Sequence, residues 1–198
     1  GALVWNKNER IRFALDHAEL WDERPMKDLH GPHFSYQWVE ENWKAGTYKK
    51  VQEALDNPYD REPAPTKIPG AAIELPLSLV GSNPEVILDL FTASVLIKGK
   101  NGVDIMSFVD ANQNKGWIKV SNLSSPFSAD LIIPPYQNKI VSVGDVVGGD
   151  DLGRLGYAKA TIDSGIHYKS FLLFCWGDFS YRSTMQWNQR GNEVTIVW

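Results

Sequence analysis

The sequence predicts a mainly β protein, an antiparallel sandwich or barrel, with one short helical insertion near its start. Three observations carry this. From residue 71 onward, short apolar or alternating segments recur at regular spacing with turn-forming residues between them, the pattern of an all-β domain. Apolar residues at helical spacing cluster over residues 35–57. The composition, 43% hydrophobic and 22% charged over 198 residues, suits a chain that buries a sizeable core without disulfides or a metal.

Each element has a local justification. Residues 2–5 form a short apolar strand, and Asn6, Lys7 and Asn8 supply turn chemistry. Ile11, Phe13 and Leu15 then alternate with Arg10, Arg12 and Ala14, which reads as a half-buried strand completing a hairpin. Residues 16–33 follow as a polar loop with aromatics and prolines. Ser35 is placed to cap a helix carrying Trp38, Val39 and Trp43, and Gly46 breaks it. Thr47 caps a second helix with Tyr48, Val51 and Leu55 on one face, and Asn57-Pro58 is expected to end it. Four prolines, at 58, 63, 65 and 69, mark residues 58–70 as a connector.

Strands are expected at 71–75, 86–97 (one bent strand or two), 103–109, 117–121, 131–133, 140–143, 155–162, 168–176, 184–188 and 194–198. Turn signals separate them at 100–102, 112–116, 148–151 and 190–192. Together these describe one β domain over residues 1–198.

Charge and motif content exclude several functions. A net charge of -4 and a pI near 5.6 argue against a general nucleic-acid binder. No apolar run approaches the ~20 residues of a membrane-spanning helix. Cys175, the single cysteine, allows no internal disulfide and reads as a small buried hydrophobe within the apolar run 171–176. His30 and His33 lack the carboxylate or cysteine companions of a metal site. Asp145, Asp150 and Asp151, among glycines, read as an acidic turn without calcium-loop spacing. Those glycines also lack the lysine of a phosphate loop. No nucleophile elbow is present, so no cofactor, metal or covalent chemistry is expected.

Binding chemistry concentrates near the start. Eight tryptophans suit a carbohydrate protein, because indole faces stack on sugar C–H faces, although most tryptophans serve as core filler. Asp16, His17, Trp21, Asp22 and Arg24 fall on one loop beside a rigid hairpin, which would present a stacking face and hydrogen-bonding partners to a sugar. The competing reading is that this loop packs on another domain, with Asp22 and Arg24 as interface ion pairs. Glycoside hydrolysis needs two flanking carboxyl groups, and no acid here stands in a context that marks such a pair. A sugar isomerase would need a histidine and an acid converging in a groove, and His167 is the histidine placed at a strand.

Gly1-Ala2-Leu3-Val4-Trp5, Asn8-Glu9-Arg10-Ile11-Arg12-Phe13 and Leu20-Trp21 resemble the opening of the N-terminal domain of bacterial glycoside hydrolases of the α-L-fucosidase family 95 type. Lys44-Ala45-Gly46-Thr47-Tyr48-Lys49-Lys50-Val51 and Leu88-Asp89-Leu90-Phe91-Thr92-Ala93-Ser94-Val95 are similar to later motifs in the same order. The specific motifs cover about the first 25 residues and about 85–110. Two departures, Leu15-Asp16-His17-Ala18-Glu19 before Leu20-Trp21 and Asp22-Glu23-Arg24-Pro25 after it, weigh against fucose specificity and leave a related or unclassified family as the alternative to the family 95 type. The resemblance implies a galactose-mutarotase-like supersandwich that binds carbohydrate. It also implies an (α/α) catalytic domain of the same parent chain, following the sandwich and packing on it, and a secreted or periplasmic setting. Gly1 already stands in a strand-like pattern, so further sequence is expected upstream. The catalytic carboxylates are expected downstream, outside this chain. A free-standing carbohydrate-binding sandwich is the alternative.

Overall fold

The computed structural model describes residues 1–26, 31, 34–61, 65–124, 126–134, 153 and 155–198. His30, His33, the expected strand at 140–143 and the acidic glycine-rich turn lie outside them. The fold is a mainly β antiparallel sandwich. Its small sheet has the order β1 (Ala2–Lys7), β2 (Arg10–Leu15), β5 (Ala71–Pro76), β10 (Asp130–Ile132). Its large sheet joins two meanders. One is β6 (Glu85–Asp89), β7 (Ser94–Lys98), β8 (Asp104–Val109) and β9 (Gly116–Ser121). The other is β11 (Thr161–Gly165), β12 (Tyr168–Phe174), β13 (Ser180–Arg190) and β14 (Glu193–Val197). The last strands of the two meanders, β9 and β14, pair antiparallel to close the eight-stranded sheet.

One core lies between the sheets. Ile11, Phe13, Ile73 and Leu75 face Ile105, Ile118, Val120, Phe171, Leu173, Met185, Val194 and Ile196. Burying each large apolar side chain contributes about 1.5–3 kcal/mol, and the period-2 alternation of β8, β9 and β14 exists to supply this face.

Several boundaries differ from the sequence pattern. The first hairpin turns at Asn8 and Glu9, not at 6–8, and both residues have positive φ (48° and 61°), as a two-residue loop with left-handed residues requires. β2 is buried on both faces. Arg12 sits opposite Glu74 and reaches its Oε1 through Nε (2.6 Å) and Nη2 (2.5 Å), so the charge is neutralised where alternation alone predicts an exposed residue. The 86–97 segment is two strands, with Ala93 (φ 51°) in the turn. Residues 155–160 are not strand, and β11 begins at Thr161.

The helical pair is α1 (Tyr36–Lys44) and α2 (Tyr48–Arg61), with Trp38 N donating to the Ser35 cap (3.2 Å). α2 runs through Pro58 rather than ending before it. A proline removes its own N–H bond and crowds the carbonyl four residues back, and here the loss falls in the last turn. None of these helices is long and apolar enough to cross a membrane. The expected loop at 16–33 and connector at 58–70 meet as a short ribbon, β3 (Trp21–Asp22) with β4 (Thr66–Lys67). Two lone residue pairs carry no periodic signal, so only the packing of distant segments creates this ribbon.

A candidate ligand cleft at one end of the sandwich

Antiparallel pairing decides which loops share an end. The β8–β9 loop, the β12–β13 hairpin, the end of β14, and the loop following β2 all gather at one end. They surround a cleft of about 870 Å³. The small sheet contributes Gly1, Asp16, His17, Glu19 and Gly70. The large sheet contributes the 109–115 loop, residues 179–184 at the start of β13, and Trp198.

The Asp16–His17 turn is held from three sides. Gly1 N donates to Asp16 O (2.6 Å), tying the loop to the first strand. Asp16 Oδ1 accepts from His17 N (2.8 Å) and pairs with Lys67 Nζ (2.9 Å). Lys67 Nζ also donates to His17 O. His17 Nδ1 accepts from Glu19 N (3.3 Å), which leaves Nε2 to carry the proton and donate to Asn114 Oδ1 at 2.9 Å. That bond links a small-sheet loop to a large-sheet loop, both of which line the cleft. Tyr181 makes a second link, donating to Pro69 O at 2.7 Å.

The β8–β9 loop owes its shape to Asp110, whose Oδ1 accepts from Asn112 N (2.8 Å) and Gln113 N (3.1 Å), an Asx turn. Gly116 follows, and the Trp198 indole lies over it: a Cβ there would meet Trp198 Cζ2 at 2.0 Å. Absence of a side chain is what lets the indole reach the cleft.

The five residues singled out by the sequence fall into two pairs and one outlier, Trp21. Asp16 and His17 line the cleft. Asp22 and Arg24 do not line it; the buried Asp22 carboxylate is held in the fork of the partly exposed Arg24. Arg24 Nε reaches Asp22 Oδ1 at 2.9 Å and Nη2 reaches Oδ2 at 2.6 Å, while Nη2 also donates to Leu155 O (2.8 Å). Tyr157 donates to the same Oδ2 at 2.5 Å. Asp22 is 1% exposed. Burial works to raise its carboxyl, but the bonds from Arg24 and then Tyr157 outweigh burial and hold it below the ordinary carboxylate value. Burial first, and the Asp22 bond second, push the Tyr157 phenol upward. Burial pushes the nearby Cys175 thiol up to about 11, which keeps it a neutral, inert side chain. Trp21 points the other way from Asp22 on β3 and is 48% exposed, with the Lys67 ammonium 5.5 Å from its ring centroid.

Sequence reasoning missed Lys67, Asn114 and Tyr157. Nothing local marks Lys67 in a proline-rich connector or Tyr157 in a segment that reads as strand. Asn114 carried a turn signal but no hint of its partner across the cleft. His167 sits in the β11–β12 turn at the opposite end, edge-on to Trp187 (5.9 Å). Among the described residues no three His, Cys, Asp or Glu side chains form a metal-ligand set.

The arrangement is a concave site lined by amide, hydroxyl, carboxylate, imidazole and basic residues together with Phe179, Tyr181 and Trp198. In comparisons with known proteins, no family model matches this chain and no curated protein matches it significantly.

Proposed function

We propose that this sandwich binds carbohydrate in its end cleft, as an accessory domain of a glycoside hydrolase that packs against a catalytic (α/α) domain. The observation that carries this reading is the cleft itself. Sugar hydroxyls both donate and accept, and Asn112, Gln113, Ser183, Thr184 and Asp16 offer both kinds of group around one concavity with Tyr181 and Trp198. The resemblance of residues 1–25 and 85–110 to fucosidase-type sandwiches points the same way.

A partner domain finds support at the β6 edge. Val86, Leu88, Leu90 and Phe91 are exposed there, Phe91 at 99%, because the eight-stranded sheet extends beyond the four strands that cover it. Exposed apolar side chains grouped along one edge strand and its turn are the kind of feature that marks interaction surfaces.

A free-standing module that binds on a flat sheet face is less well supported. Phe108 and Trp117 stand on the outer face of the large sheet, but their rings stack on each other (4.9 Å, 17°), so one face of each is already covered.

Titration calorimetry against oligosaccharides and soluble polysaccharides tests the reading. Saturable binding is expected, weakened about tenfold in His17→Ala, the order of one or two hydrogen bonds. No heat at millimolar ligand across the panel overturns it. Turnover of aryl glycosides by this chain alone would overturn the accessory role.

A further inference from the structure

Trp21 and Trp176 each lie close in sequence to residues that line the cleft, without lining it themselves. Trp21 directly follows Leu20, a lining residue. Trp176 lies in the tight β12–β13 hairpin, closed by Cys175 N donating to Phe179 O (2.9 Å), and Phe179 and Ser180 on its return line the cleft. The two indoles are 48% and 47% exposed, unusual for a side chain that is generally well buried.

Trp21 stands beside a tied corner of the fold. Trp21 neighbours Asp22 on β3, and Lys67 over its ring is itself tied to Asp16. Among the described residues no aromatic ring stacks on Trp21 or Trp176, in contrast to Phe108 and Trp117. The cleft volume of about 870 Å³ is near the upper end for small-molecule sites, more than a single sugar ring needs.

We infer that the cleft takes an extended oligosaccharide rather than a monosaccharide, with Trp21 and Trp176 as outer subsites that stack on the pyranose rings beyond it. This rests on the carbohydrate reading above and adds ligand length to it. The test is calorimetry on the full chain with ladders of one to six units of β-1,4-linked glucose, xylose and mannose and of α-1,4-linked glucose. Affinity is expected to rise with length. Trp176→Ala and Trp21→Ala should each weaken hexamer binding about tenfold while leaving the affinity for the shortest bound ligand unchanged. The thermal transition of each variant is checked first, and Trp176→Ala, at a surface hairpin, serves if Trp21→Ala does not fold. A monosaccharide bound as tightly as its hexamer, or a folded Trp176→Ala that binds hexamer like the native chain, overturns the inference while leaving carbohydrate binding intact. No binding by any ladder overturns the carbohydrate reading itself.

Discussion

Asp22 shows how a single side chain can be chemically conspicuous in the sequence and structurally committed in the fold. An Asp two residues before an Arg, beside a Trp, fits a sugar-contacting loop equally well as an ion pair. The fold places the carboxylate out of water, with the Arg24 fork and the Tyr157 hydroxyl on it. Because its folded value is depressed, the folded state binds a proton less readily than the unfolded chain. The stabilisation is therefore fully present above the ordinary carboxylate value near pH 4, and is lost as pH falls through the folded value. Asp22→Asn keeps the shape but leaves Arg24 without its counter-charge. It is expected to cost about 3 kcal/mol in urea unfolding at pH 7, with the deficit shrinking below about pH 4. A deficit unchanged down to pH 2 would show that the charge is not what stabilises this corner.

Elements were legible where they carry a period and obscure where they do not. β8, β9 and β14 alternate because one face meets the core, and each was readable from sequence to within a residue or two. The β3–β4 ribbon is two residues on each side, too short for any period, and α2 overruns the proline that should end it. Gly116 belongs to this scale as well. It looks like the end of a turn, yet its lack of a side chain serves the packing of Trp198 at the far end of β14. Gly116→Ala would put a methyl inside the indole and force Trp198 to move. The expected cost is about 1–3 kcal/mol, typical of overpacking, with a change in tryptophan emission. Native stability and emission in this variant would mean that the indole yields freely.

At the level of the whole molecule, two sheets share one core, and strands from the start, middle and end of the sequence all contribute to it. The small sheet has no apolar face of its own to bury except against the large one. The sandwich should therefore unfold in a single transition, with far-UV circular dichroism and tryptophan emission changing together under denaturant. Two separated transitions would show that the sheets are independent units.

By itself, the sequence determined that this protein is mainly β, that its strands are antiparallel and where most of them lie, because alternation and turn chemistry are local properties of the chain. It also placed Asp16 and His17 beside the first hairpin. Only the tertiary structure decided that these two reach a cleft, that Asn114 stands 2.9 Å across from His17, and that Asp22 turns inward while Trp21 turns out. The reason is physical: a site made where two sheets end draws its members from segments about 50 to 100 residues apart, and no local period records which loops antiparallel pairing will bring to the same end.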